Sequence, residues 1–163
     1  MSTVKNMPIA SKPTRDEILG LDIATHCGYF STHERGTWNF EESMRRNNNK
    51  QHAAFRNTLI DFIQKYNIKQ IVAEDVSVNN HFIDARKLSE FRGILLEVCD
   101  TLDLPEPAFI NPKTVKSWAT GNGNATKNDM IKFCKLRWKI DPCDDNEADA
   151  THIFMYYIHK FHL

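Results

Sequence analysis

Three strand-like stretches follow one another almost without pause near the start of the chain, at residues 18–23, 27–32 and 36–40. Only the turn-forming residues 24–26 and 33–35 separate them. Connections that short cannot carry a crossover, so the three are expected to pair as an antiparallel meander. The pattern then changes. Phe55, Leu59, Phe62, Ile63 and Tyr66 form a helical stripe over 52–66, a strand-like run follows at 71–76, and Leu88, Phe91, Leu95 and Val98 mark a helix over 84–102. Pro105 and Pro107 stop that helix before a short strand at 108–110. Asn111-Pro112 opens another helix, Gly121–Asn124 reads as a turn, and 127–138 and 145–159 are helical. A meander followed by alternating strands and helices predicts an α/β domain: a mixed five-stranded sheet flanked by helices.

A chain of 163 residues needs only one core. Residues 1–16 mix Ser, Thr, Lys and Pro without periodicity and are expected to form a flexible leader, leaving 17–163 as the domain. No apolar run approaches a membrane span. The four cysteines form no Cys-x-x-Cys pair, which points to reduced thiols and a cytoplasmic setting. Cys134, Cys143, His152 and His159 fit no zinc-finger or ribbon spacing. Trp118 and Trp138 are expected in the core. The balance of 21 basic and 21 acidic residues argues mildly against a nucleic-acid partner.

The acids carry the chemistry. Asp22 sits at the end of Ile18-Leu19-Gly20-Leu21-Asp22-Ile23, and Glu74 at the end of Ile71-Val72-Ala73-Glu74. A carboxylate among strand-forming apolar residues is costly to bury unpaired and is better explained by a cation. Asp149, near the start of the last helix, is a third. Carboxylates from two strand ends and a helix suit a hard divalent ion such as Mg²⁺, which takes oxygen ligands and works alongside substrate phosphates. The chain therefore reads as a metal-dependent phosphodiester enzyme.

Four motifs in order resemble the RuvC family of Holliday-junction resolvases, whose fold is ribonuclease H-like. They are Leu19-Gly20-Leu21-Asp22-Ile23-Ala24-Thr25 with Gly28-Tyr29; Glu74-Asp75-Val76 with Leu88-Ser89-Glu90-Phe91-Arg92-Gly93; Val115-Lys116, Gly121-x-Gly123 and Lys127; and Glu147-Ala148-Asp149-Ala150. The match runs from Ile18 to about Ile158, and phage-type members resemble the chain most. The resemblance implies a structure-selective endonuclease that resolves four-way DNA junctions by two-metal hydrolysis with Mg²⁺, or Mn²⁺ in its place. It also implies a homodimer formed through the helix at 84–102. It selects Glu74 over Asp75, which alternation turns the other way, and gives Asp22, Glu74 and Asp149 as catalytic metal ligands. The family's fourth ligand falls at Asn146. Asp145 and Asn146, four and three residues before Asp149, both share its helix face, while Glu147 points away. Asp145 is the expected fourth acid; alternatively, Asp144 caps the helix with Glu147 as its capping-box partner, and Asp145 merely complements the dipole. Lys116 and Lys127 resemble the family's phosphate-contacting lysines. Arg45, Arg46 and Lys50 form a basic loop that either contacts DNA or is simply solvated. Ser77 stands where the family often has an aromatic; Phe82 is its substitute or a core anchor. Competing expectations are a nuclease for other branched or RNA-containing duplexes, and a catalytically degenerate DNA-binding module.

Overall fold

The computed structural model describes residues 11–41, 48–76 and 82–163. Strands β1 (Ile18–Asp22), β2 (His26–Phe30) and β3 (Arg35–Asn39) form the expected antiparallel meander. Strands β4 (Gln70–Glu74) and β5 (Ala108–Ile110) run parallel to β1 and complete a five-stranded sheet of order β3-β2-β1-β4-β5. The helices are α1 (Asn48–Tyr66), α2 (Phe82–Thr101), α3 (Pro112–Thr120), α4 (Lys127–Trp138) and α5 (Asp145–Lys160). Among the described residues no helix is long and apolar enough to cross a membrane.

Side-chain alternation divides the sheet into two faces. Leu19, Leu21, Ile71 and Ala73 pack against Phe55, Leu59 and Phe62 of α1 and Phe91, Leu95 and Val98 of α2. Ile18 and Val72 turn the other way, onto Ala150, Ile153, Phe154 and Tyr157 of α5 and Val115 of α3. Each large apolar side chain buried in these layers contributes about 1.5–3 kcal/mol. The sandwich is thus a helix pair on one face and the last helix on the other.

Several local expectations need correction. Helix α1 begins at Asn48, not at residue 52, so Lys50 lies in its first turn rather than in a loop. The inward residue of that turn is Gln51, fully buried and donating to Thr25 Oγ1 at 3.3 Å, so an apolar stripe could not reveal it. Trp118 and Trp138 are half-buried and belong to neither core cluster. They stack at 5.5 Å with the Arg137 guanidinium over both rings. The described end of the expected leader is tied to the domain: Arg15 donates twice to the Leu163 oxygen, at 2.9 and 2.7 Å, and Lys12 to the Phe161 carbonyl.

Candidate active site

Parallel pairing of β1 with β4 sets the first two acids side by side. Leu21 is opposite Ala73, so the next residues along, Asp22 and Glu74, end adjacent strands at the same level. Both share alternation with Ile18 and Val72 and therefore face α5. The helix comes unusually close because two glycines lie beneath it. A Cβ on Gly20 would meet the Ala150 carbonyl at 2.9 Å and Phe154 Cβ at 3.0 Å, and one on Gly28 would collide with the Asn146 carbonyl. Only a bare backbone permits this approach. It delivers Asp149 and Asp145, one helical turn apart, to Asp22 and Glu74.

Burial raises the pKa values of Asp22, Glu74 and Asp149, and neighbouring acids add to the shifts of Asp22 and Asp149. Asp22 is held well above the usual carboxylate range, first by burial and then by the charges of Glu74, Asp149 and Asp145. Burial likewise lifts Glu74, opposed by the Lys116 ammonium. Burial, followed by Glu74 and Asp145, pushes Asp149 up to about 7 against the pull of Lys116 and Lys127. Asp149 Oδ1 is buried without a hydrogen-bond partner. Such an orphan normally costs about 1–3 kcal/mol, and a hard cation is the partner that an all-oxygen donor set suits. Among the described residues, no three His, Cys, Asp or Glu side chains stand as a ready-made cage. Asp145 pairs with Lys127 Nζ at 3.0 Å.

The two candidates for the fourth position separate clearly. Asp145 raises the pKa values of both Asp22 and Asp149, which places its charge among them. Asn146 bonds to the Asp144 carboxylate and lines the neighbouring cleft. Asp144 is the helix cap, accepting from Glu147 N at 2.8 Å. The reciprocal half of the expected capping box is replaced: Glu147 turns away from the cap, accepts from Cys143 N at 2.8 Å and pairs with Arg35 Nη1 at 2.7 Å. Asp75 bonds to its own neighbour Val76 N and lies 3.6 Å from Arg92, apart from the acid cluster.

Lys116 on α3 and Lys127 at the start of α4 both reach the acids electrostatically. The capping box between Thr126 and Asp129 fixes where α4 begins, and hence where Lys127 stands. Beside them a cleft of about 370 Å³ is lined by Thr25, His26, Lys87, Lys127 and Asn146. Sequence reasoning missed Thr25 and Lys87, whose Oγ1 and Nζ lie 3.3 Å apart, because a turn Thr and a helix Lys carry no signal of their own. Phe82 is 79% exposed and so is no core anchor. Lys50 is exposed on α1, while Arg45, Arg46 and Ser77 lie outside the described residues. The dismissed zinc ligand His152 is fully buried, with Nδ1 accepting from Trp138 Nε1 and Nε2 donating to the Met130 carbonyl.

The raised pKa values have a stability consequence. Between the ordinary carboxylate range near 4 and about 7, the folded state keeps a proton on Asp149 that the unfolded chain has released, so stability falls as pH rises through that window. Metal-free protein is therefore expected to melt lower near pH 7.5 than near pH 5.5, and a divalent cation should restore the loss. Differential scanning calorimetry with EDTA, then with added Mg²⁺, checks both.

No family model matches the sequence. A protein of Brachyspira hyodysenteriae named crossover junction endodeoxyribonuclease RuvC is 33% identical over 113 residues, 69% of this chain and 70% of that protein. The proteins of the same name from Rickettsia akari and Rickettsia conorii are each 31% identical, over 52% and 62% of this chain and 53% and 65% of their own lengths. Among solved structures, Thermus thermophilus RuvC in complex with a Holliday junction substrate superposes with a TM-score of 0.70 at 15% identity, covering 88% of this chain and 93% of that one. The yeast mitochondrial Holliday junction resolvase does so at 0.58 and 14% identity, over 89% and 78%. These superpositions establish a shared fold, the expected ribonuclease H-like one.

Proposed function

The chain belongs to the RuvC family of crossover junction endodeoxyribonucleases, and we propose that it resolves four-way DNA junctions by metal-dependent phosphodiester hydrolysis. One observation carries the mechanism: Asp22, Glu74 and Asp149 are desolvated where the sheet meets α5, with a buried Asp149 oxygen unpartnered and the charge of Asp145 beside them. These four acids would hold Mg²⁺, or Mn²⁺ by the same preference for oxygen. The chemistry such ions would supply when held there is Lewis-acid polarisation of a phosphate and activation of water at neutral pH.

The protein's own groups do the rest. Lys116 offsets negative charge at the acids and is placed to do the same for a phosphate. Lys127 pairs with Asp145 at 3.0 Å and, with its side chain largely exposed, is placed to contact the DNA backbone. The cleft lined by Thr25, Lys87 and Lys127 gives a strand its approach. Phe82, exposed at the start of α2, offers a ring to a base unstacked at the junction centre. Two symmetric scissile strands call for two sites, hence a homodimer through α2.

Purified protein with Mg²⁺ is expected to cut synthetic four-way junctions at least about tenfold faster than forks or RNA–DNA hybrids. Light scattering should give the mass of a dimer. Equal rates on all three substrates would transfer the activity to branched or RNA-containing duplexes generally.

A further inference from the structure

Glu147 is an acid that the reaction does not use, yet it is only 3% exposed. Acids are almost never so buried unless paired, yet the partner Arg35 is exposed, and a pair that stands half in solvent adds little stability of its own. Stability alone is therefore a poor account of it. Its contacts suggest another. Arg35 Nη1 donates to Oε1 at 2.7 Å and Cys143 N to Oε2 at 2.8 Å. Two residues along β3, on the same face as Arg35, Thr37 Oγ1 donates to the α5 cap Asp144 at 2.7 Å. The sheet's edge strand thus grips the first turn of α5 at two points.

Ala150, Ile153, Phe154 and Tyr157 interlock the later turns of α5 with the core, whereas its first turn rests on the glycine seat, where Gly28 presents no side chain to interlock. Glu147 is two residues from both Asp145 and Asp149, about 200° around the axis, so grip and acids occupy opposite flanks. With carboxylates about 5–6 Å from the axis, a rotation of about 20° would move them by about 2 Å. Metal–oxygen distances tolerate only about 0.2 Å.

We propose that Arg35 and Glu147 form a positioning pair that fixes the rotation of α5, and so holds Asp145 and Asp149 in register with Asp22 and Glu74 for cation binding. This rests on the metal-dependent reading above. The pair acts through the helix and touches neither substrate nor cation.

Mn²⁺ binding to DNA-free protein, measured by calorimetry, tests it without cleavage. Arg35→Met is expected to weaken binding about tenfold, within the range seen when groups orienting a metal ligand are lost. The double variant Arg35→Met/Glu147→Gln, which removes both charges but leaves an amide oxygen to accept from Cys143 N, should stay close to wild type in melting temperature yet weaken Mn²⁺ by a similar factor. Arg35→Lys should recover most of the affinity. Arg56→Met, which breaks the exposed pair with Glu97, should change nothing. A double variant that binds Mn²⁺ within about twofold of wild type overturns the proposal, as does a wild type that binds none. If wild type binds Mn²⁺ but cuts no DNA, the nuclease reading falls, while the Mn²⁺ series still decides the role of the pair.

Discussion

Replacing Asp22 by Asn is expected to have opposite effects on activity and stability. Junction cleavage should fall at least about 10³-fold, because the side chain placed between Glu74 and the α5 acids loses the charge a hard cation needs. The metal-free protein should become more stable, by about 1–2 kcal/mol near pH 7.5, the usual gain when a strained functional site is relieved. The sign follows from direction alone. Burial and the charges of Glu74, Asp149 and Asp145 hold the Asp22 carboxyl above its ordinary range, so its ionised form opposes folding at neutral pH and the neutral amide does not. Thermal melts with and without Mg²⁺ would show a higher baseline in the variant and little further gain on adding the ion. A variant that loses activity and stability together would mean that Asp22 is a structural residue.

The second large effect belongs to a residue with no side chain. Gly28→Ala should cut junction cleavage at least about 10²-fold and lower stability by about 1–3 kcal/mol. The added methyl would collide with the Asn146 carbonyl and lift the first turn of α5. Displacing catalytic groups by about 1 Å can alone cost 10²-fold. Gly93→Ala is the matched control. It lies within α2, where an added Cβ would meet nothing within 4 Å, so that variant should gain about 0.5–1 kcal/mol. Chemical denaturation with cleavage rates on the same preparations would separate the two glycines.

Asp22 and Glu74 stand out in the sequence as strand-end acids, and Asp149 by its place near the start of the last helix; the structure brings the three near one another. A carboxylate ending an apolar strand is conspicuous; alternation lets only one of Glu74 and Asp75 face Asp22, and the family resemblance selects Glu74. The order of the first three strands followed from loop length alone. The grip on α5 was illegible: Arg35 and Glu147 meet across 112 positions of sequence, and neither residue type announces a buried partner. Helix α1 began earlier than expected because its first inward residue, Gln51, is polar. The tryptophans misled for the opposite reason. Their size suggested the core, whereas Trp118 and Trp138 stack on each other at the surface beside the Arg137 guanidinium. Asp145 was chosen over Asn146 on charge and helix geometry, and the structure adds the capping network that occupies Asn146.

The parallel pairing of β1 with β4, and the docking of α5 across both, also order events in time. Asp22 and Glu74 can come together as soon as β4 joins the meander. They remain a pair of mutually repelling acids until a helix more than a hundred residues after Asp22 folds down on Gly20 and Gly28. Contacts of such long sequence separation tend to form late. If the α5 acids complete the site as proposed, a nascent chain carrying the whole sheet is harmless to DNA until the final docking step.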